Sequence, residues 1–157
     1  WLHIGGLREF AAHQIPIYHL ELNRFIINKL LTATYTSKPD AWEKMPGKNP
    51  KLVAITQQIP LGSGPNQLEL IPYRTETGER MVMVYFPTKK LLYASDLYQP
   101  KSSNGSYWEP HYPFEFCSAV EREHLIVDSV YAMHLANPIS FKEIKKDVEK
   151  LSSGLQY

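Results

Sequence analysis

Hydrophobic residues in the first third of the chain follow both helical and extended spacing. Residues 7–13 come directly after two glycines and predict a helix that starts at a glycine hinge, while residues 15–18 form a short β-prone run. Residues 20–31 predict an amphipathic helix, because apolar side chains recur three or four positions apart. These apolar side chains are Leu22, Phe25, Ile26 and Leu30. Residues 34–50 are rich in proline, lysine and serine and predict an irregular loop.

The middle of the chain predicts a series of strands. Residues 51–57 and 67–73 are apolar and β-prone, and a Gly-Ser-Gly-Pro turn lies between them. Residues 81–86 and 91–95 are two apolar runs separated only by Pro-Thr-Lys-Lys, which predicts a tight hairpin. Continuous apolar runs are typical of strands that are covered on both faces.

The last third returns to mixed helix and strand. Residues 97–113 predict a second loop that contains four aromatic residues, residues 114–124 a helix, and residues 125–133 a strand. Ser140 and Glu143 have the spacing of a capping box, which predicts the start of a terminal helix. The order of these elements indicates the α/β class, with helices packed on a sheet.

Length, charge and cysteine usage narrow the possible classes of protein. A chain of 157 residues predicts a single domain over residues 1–157. With 17 basic and 16 acidic residues the formal net charge is +1, so neither a nucleic acid nor an anionic membrane is expected as a partner. Cys117 is the only cysteine, which excludes an intrachain disulfide and a cysteine-based zinc cluster.

Two stretches in the first half of the chain resemble metallo-β-lactamase-fold hydrolases. In that family a metal motif, HxHxDH, runs into a glycine-rich helix start, and the segment His3-Ile-Gly-Gly is similar to this junction. His3 therefore resembles the last histidine of the motif. Residues 73–81 lead into an apolar strand and resemble the stretch where a metal-binding histidine precedes a strand.

Two stretches in the second half continue the resemblance in the family's order. Residues 87–96 are similar to the hairpin that ends in a metal-bridging aspartate, and Asp96 stands at that position. Residues 127–134 resemble the strand that delivers the last metal-binding histidine, which is His134 here. Together the four stretches cover most of the chain.

The resemblance implies a fold, a metal and a class of reaction. The fold would be the later, C-terminal part of an αββα metallo-β-lactamase-like sandwich, with a mixed sheet and helices packed on it. The ligands would be His3, Asp96 and His134, holding zinc or another divalent metal. The reaction would be hydrolysis of an ester, amide, thioester or phosphoester, with the substrate unspecified because the fold hosts many chemistries. No further catalytic residue is assigned.

The chain also departs from the family pattern. Only two residues precede His3, and Leu2 stands where the family has an aspartate ligand. Thr77 stands where the second stretch has its histidine, with Glu76 beside it as a weaker oxygen donor. The family's first sheet has no counterpart in the sequence. Two interpretations follow: a fragment of a metal-dependent hydrolase with an incomplete site, or a non-catalytic descendant that binds no metal and acts as a binding or scaffold domain.

Simpler structural roles also account for each candidate ligand. His3 lies at the start of the chain, an aspartate at a strand end often caps a turn, and His134 follows an apolar strand where a histidine can be hydrogen-bonded in a core. The aromatic residues of the second loop suit either a substrate rim or a packed loop. Half of a two-sheet sandwich would expose an apolar sheet face, so a homodimer or association with the missing N-terminal part is expected.

Overall fold

The computed structural model describes residues 4–76, 78–102, 105–107 and 109–154. It divides into two compact units, Trp1–Thr56 and Gln57–Tyr157, and each unit has its own hydrophobic core. That residues 1–157 form one domain stays a prediction. Among the described residues, no helix has both the length and the apolarity needed to cross a membrane.

The first unit combines short helices with a small parallel sheet. In chain order its described elements are α1 (Leu7–Ala12), β1 (Ile17–Leu20), α2 (Arg24–Thr32), α3 (Ala41–Lys44) and β2 (Leu52–Ile55). Strands β1 and β2 pair in parallel. The two longer helices bury apolar side chains around one tryptophan of α3, and this core consists of Leu7, Ala11, Ile27, Leu31 and Trp42.

Helix α2 confirms the predicted amphipathic helix but buries a different face. Ile27 and Leu31 are buried, whereas Phe25 is 79% exposed and Leu22, which precedes the helix in a 3₁₀ turn, is 52% exposed. Apolar residues cover more than half of the helix circumference, so the spacing alone does not select the face. Trp42 selects it, because its indole N–H donates to the Leu31 carbonyl at 2.8 Å and its ring fills the core.

A buried arginine ties the helices of the first unit together. Arg8 on α1 is 7% exposed and donates to the carbonyls of Leu30 and Ala33 at 2.8 and 2.7 Å. Its guanidinium also binds both carboxylate oxygens of Asp40 and one of Glu43. All five of its N–H groups therefore have partners, and the charge contributes to the fold rather than to a free site.

The second unit is built on a six-stranded mixed sheet. Its described elements are β3 (Ile59–Leu61), β4 (Leu68–Pro72), β5 (Val82–Phe86), β6 (Leu91–Tyr93), α4 (His111–Arg122), β7 (Ser129–Tyr131), β8 (Ile139–Ser140) and α5 (Phe141–Gly154). The strands follow one another in the order β3-β4-β5-β6-β7-β8. All neighbours are antiparallel except β6 and β7, which are parallel. The predicted α/β class, with a mixed sheet and helices packed on it, is confirmed.

The two faces of this sheet differ in what covers them. One face packs against α4 and α5, and its buried side chains include Ile71, Met83, Tyr85, Leu92 and Val130. Because side chains alternate along a strand, the other face carries the remaining residues. These are mostly apolar and only partly buried, with Tyr131 37% exposed. An apolar second face is therefore present, and that a second copy or a missing part of the protein covers it stays a prediction.

Three short elements lie where the sequence predicted a loop or no element. Helix α3 forms inside the predicted loop of residues 34–50, because the Asp40 side chain accepts a hydrogen bond from the Glu43 N–H at 2.7 Å and caps the helix. Strand β3 pairs with β4 across the predicted glycine turn, whereas β2 pairs with β1 instead. Strand β8 has two residues and pairs with β7.

Candidate functional site

The sheet topology brings Asp96 and His134 together. Strands β6 and β7 are parallel neighbours, and their last paired residues are Tyr93 and Tyr131. Asp96 and His134 each follow three positions after those residues, so both emerge at the carboxyl edge of the sheet. Ligands of open α/β sheets commonly bind outside this edge. Equal offsets on parallel neighbours thus bring together two residues that lie 38 positions apart in the sequence.

The backbone at the strand ends fixes the spacing of the two residues. The Ala94 N–H donates to the Tyr131 carbonyl at 2.8 Å, and the Met133 N–H donates to the Ser95 carbonyl at 3.0 Å. The parallel pairing therefore extends to the residues directly before Asp96 and His134. Ser95 has a φ of 50°, a left-handed conformation that costs a residue with a Cβ free energy. Such strained residues concentrate at functional sites.

The side chains of Asp96 and His134 lie in ion-pair contact. The Nε2 atom of His134 is 3.1 Å from Oδ1 of Asp96, and the two side chains are 51% and 24% exposed. The Oδ1 atom itself is shielded from solvent. The arrangement combines a buried carboxylate oxygen with an imidazole that reaches the surface.

The same pair fits two ligands of a divalent metal. Zinc binds carboxylate oxygen and imidazole nitrogen, and two ligand atoms each about 2.1 Å from a tetrahedral ion lie about 3.4 Å apart. The spacing of 3.1 Å between the two atoms differs from this value by only a few tenths of an ångström. Within the described part of the chain, no group of three or more His, Cys, Asp or Glu side chains is placed to hold one ion.

The other residues singled out from the sequence do not join this pair in the described structure. His3, Leu2 and Thr77 lie outside the described residues, so the predicted role of His3 as a ligand stays a prediction. Glu76 is exposed in a turn between β4 and β5. Such exposure is typical of a solvated loop charge.

Two tyrosines of the loop after Asp96 are packed into the core. Tyr98 and Tyr107 are 2% and 8% exposed, and their rings meet edge to face with centroids 6.4 Å apart. The Tyr107 hydroxyl lies 3.5 Å from the Tyr98 hydroxyl and donates to Oδ2 of Asp147 on α5 at 3.2 Å. Lys101 binds the same Oδ2 atom at 2.7 Å. These four residues, named here the tyrosine–aspartate clamp, join the loop to α5.

Burial and charge set the protonation of the clamp. Burial raises the pKa of Tyr107, and its contact with Tyr98 raises it further, so the phenol remains a donor. Burial opposes ionisation of Asp147, but the hydrogen bonds from Lys101 and Tyr107 outweigh it and lower the pKa of that carboxyl. The Tyr107–Asp147 bond therefore joins a neutral donor to a charged acceptor, which is a strong combination.

Sequence reasoning named the loop tyrosines but missed Asp147. A usable signal existed, because Asp147 lies three positions after the buried Ile144 on the same helix and so borders its apolar face. A charged residue at such a position needs a partner. Cys117 is also buried, and burial raises the pKa of its thiol to about 11.

Comparison with known proteins identifies structural relatives only. No protein-family profile and no curated protein matches the chain. A metallo-β-lactamase from Pontibacter korlensis matches with a TM-score of 0.58 and 17% identity, over 95% of this chain and 63% of that one. The rubredoxin:oxygen oxidoreductase from Desulfovibrio gigas gives 0.62 and 10%, over 96% and 41%. A metal-soaked flavodiiron core from Synechocystis sp. gives 0.60 and 14%, over 90% and 37%.

These matches define what is shared and how much of each relative is present. Nearly all of this chain superposes, but it spans less than two thirds of the length of the relatives it matches. Two of them carry names that refer to a metal-dependent lactamase or a metal-soaked core. Identities of 10% to 17% indicate a common fold and do not extend to a common reaction.

Proposed function

The chain has part of the metallo-β-lactamase fold, as its sequence predicts, and on that premise we propose that it carries a reduced metal site of a metal-dependent hydrolase. Asp96 and His134 are the proposed ligands on the described residues, and His3 is the proposed third ligand. Zinc is the proposed ion, because oxygen and nitrogen donors suit it and its catalytic sites use three protein ligands. The contact of 3.1 Å between Asp96 and His134 is the observation that carries the proposal.

Three features of the pair support a metal site over two unrelated surface residues. The carboxylate oxygen that faces His134 is shielded from water, and a negative charge in such surroundings attracts a cation more strongly than it would in bulk water. Both side chains leave the same edge of the sheet from parallel strands. The strained Ser95 lies directly before Asp96, and its conformation directs the chain out of the strand at that point.

The chemistry proposed for the site is hydrolysis of an ester, amide, thioester or phosphoester. A divalent metal supplies a water molecule activated for nucleophilic attack near neutral pH. The contribution of the chain is to hold the ligands in place before the metal arrives. Asp96 provides a shielded carboxylate oxygen and His134 a half-exposed imidazole.

A non-catalytic binding or scaffold domain is the second candidate function. The sequence favours it at two positions, because Leu2 and Thr77 stand where the family has an aspartate and a histidine. In that case Asp96 and His134 form only an ion pair that joins β6 to β7. The two candidates differ in one measurable property, which is affinity for a divalent metal.

A titration with Co²⁺, which reports its own coordination through visible absorption, separates the two candidates. The wild-type chain is expected to bind one equivalent, and Zn²⁺ is expected to displace it. Asp96→Asn and His134→Ala are each expected to weaken binding at least tenfold, which corresponds to about 1.4 kcal/mol. Loss of binding in both variants, with unchanged circular dichroism, is the result that the metal site requires.

Matched controls come from the same chain. Asp128→Asn removes an exposed aspartate directly before β7, whose side chain is 69% exposed, and His111→Ala removes an exposed histidine at the start of α4. Both should bind cobalt like the wild type. A wild-type chain that binds no cobalt, or controls that lose as much affinity as the two ligand variants, would support the scaffold function instead.

We further propose that the second face of the six-stranded sheet is covered in the assembled protein. Its exposed members include Tyr131 and Met133, which are 37% and 42% exposed. A second copy of the chain, or polypeptide from a longer parent protein, would cover them. Sedimentation equilibrium of the chain at micromolar concentration is expected to give a dimer. A stable monomer that stays soluble at millimolar concentration would argue against the second copy.

A further inference from the structure

We propose that Tyr107 and Asp147 are positioning residues that hold Asp96 in place for metal binding. Neither residue contacts Asp96 or His134 in the described contacts, and both act through the start of the loop that follows Asp96. The inference rests on the proposed metal site, because positioning matters only if Asp96 has a ligand to bind. The observation behind it is the tyrosine–aspartate clamp.

The chain on the two sides of Asp96 is held in different ways. On the N-terminal side, parallel pairing with β7 continues through Ala94 and Ser95. On the C-terminal side the described strand β6 has ended, and the Leu97 N–H donates to the Ala94 carbonyl at 2.9 Å. Leu97 and Tyr98 directly follow Asp96 in the chain, so the contacts that fix these two residues also restrict where Asp96 can lie.

Packing and hydrogen bonds fix those two residues. Leu97 and Tyr98 are each 2% exposed, and the Tyr98 ring lies 5.8 Å from that of Phe116 on α4. The Tyr98 hydroxyl lies 3.5 Å from the hydroxyl of Tyr107. Tyr107 is in turn bonded to Asp147. The contacts that connect α5 to the segment after Asp96 thus pass through the buried side chains of Tyr107 and Tyr98.

The polar contacts of the clamp explain why losing it is expected to displace Asp96. Asp147 receives both the Tyr107 hydroxyl and the Lys101 ammonium on one oxygen, Oδ2, and Lys101 also lies 5.3 Å from the centre of the Tyr107 ring. Without the Tyr107 hydroxyl, Tyr98 loses its buried partner and Asp147 keeps only the lysine. A buried phenol without a partner is costly, so Tyr98 is expected to shift and to carry Leu97 with it.

The test compares two tyrosine-to-phenylalanine variants that differ only in location. Tyr107→Phe removes the clamp hydroxyl and keeps the ring. Tyr85→Phe is the control, because Tyr85 is also buried at 6% exposure and donates to a backbone carbonyl, that of Ile126, at 2.7 Å. Both variants are expected to fold and to lose similar stability, so a difference between them reports on position rather than on stability.

Two readouts are compared in each variant. Tyr107→Phe is expected to weaken Co²⁺ binding about tenfold, the lower end for residues that orient metal ligands, and to change the visible absorption of the bound cobalt. Hydrogen exchange of residues 94–98 in the metal-free protein is expected to rise in Tyr107→Phe. Neither change is expected in Tyr85→Phe. Asp147→Asn should reproduce the effects of Tyr107→Phe from the other side of the bond.

The outcomes separate this inference from the proposed function. If Tyr107→Phe leaves both cobalt affinity and exchange at residues 94–98 like the wild type, the clamp does not position Asp96. Equal effects in Tyr85→Phe would overturn it as well, since the effect would be one of stability. If the wild type binds no cobalt, the proposed metal site is wrong, and so is the role of the clamp in metal binding. A rise in hydrogen exchange of residues 94–98 that occurs only in Tyr107→Phe would then still show that the clamp holds this segment.

Discussion

Replacing Arg8 by methionine should unfold the first unit at markedly lower denaturant concentration. The side chain is 7% exposed and donates five hydrogen bonds to two backbone carbonyls and two carboxylates. Methionine occupies similar space but donates none of them. The substitution leaves the carbonyls of Leu30 and Ala33 without this donor, and removes the cation from Asp40 and Glu43.

The expected loss follows from how far each partner can return to water. Removing one member of a buried charge network costs about 3–5 kcal/mol. The Asp40 and Glu43 side chains are 33% and 24% exposed, so water recovers part of their interaction. We therefore expect the lower end, about 3 kcal/mol, for Arg8→Met. Urea denaturation followed by tryptophan fluorescence measures it, because Trp42 lies in the core that Arg8 supports.

A control and a pH series make this prediction refutable. Arg24→Met removes an exposed ion pair with Glu21, whose side chains are 55% and 59% exposed, and should cost less than about 1 kcal/mol. The hydrogen bond from Arg8 lowers the pKa of Asp40 to about 2 from its model-peptide value of 3.8. The stabilisation from ionised Asp40 is therefore complete above pH 4 and is lost as the pH falls towards 2. Equal losses in both arginine variants, or a difference between wild type and Arg8→Met that does not shrink at low pH, would refute the reasoning.

Two further predictions concern the loops beside the candidate site. A methyl group added at Gly78 would lie 2.5 Å from atoms of Leu97 and of the Tyr73 ring. Gly78→Ala should therefore lower the free energy of unfolding by about 1–3 kcal/mol through overpacking. A thermal denaturation midpoint equal to that of the wild type would contradict this prediction. Ser95→Gly should stabilise the protein by about 0.5–1 kcal/mol, because relief of the left-handed conformation at 50° exceeds the added chain entropy of glycine. A destabilised Ser95→Gly variant in the same assay would show that the serine makes a compensating contact.

The parts of the fold that were predictable are those set by local pattern. The hairpin between β5 and β6 follows from two apolar runs separated by four residues, and the structure pairs them antiparallel. One of the two hydrogen bonds of the predicted capping box is present, with the Ser140 N–H donating to the Glu143 carboxylate at 3.3 Å. In each case the deciding interaction lies within a few residues, so the sequence contains it.

The parts that were not predictable depend on contacts between distant segments. The buried face of α2 is chosen by Trp42, which comes ten residues after the helix ends. Strand β8 has two residues and exists only because β7 lies beside it. Helix α3 could have been predicted from the sequence, because Asp40 and Glu43 have the spacing of an N-cap and the third helical residue. The surrounding prolines favoured a loop instead.

The candidate site also has one part that the sequence predicts and one part that it does not. Asp96 and His134 were named from motifs that end two strands, and their proximity follows once those strands are parallel neighbours. The clamp was not predictable, because Tyr107 and Asp147 are 40 residues apart and no motif links them. His3 stays a sequence prediction.

The metal content of the purified chain tests the central claim most directly. After dialysis against buffer without chelator, elemental mass spectrometry of the wild type, Asp96→Ala and His134→Ala is compared with that of Asp128→Asn. The proposed site predicts about one equivalent of zinc, iron or manganese in the wild type and in Asp128→Asn, and little in the two ligand variants. A wild type without metal, or metal retained in both Asp96→Ala and His134→Ala, would contradict the proposed site.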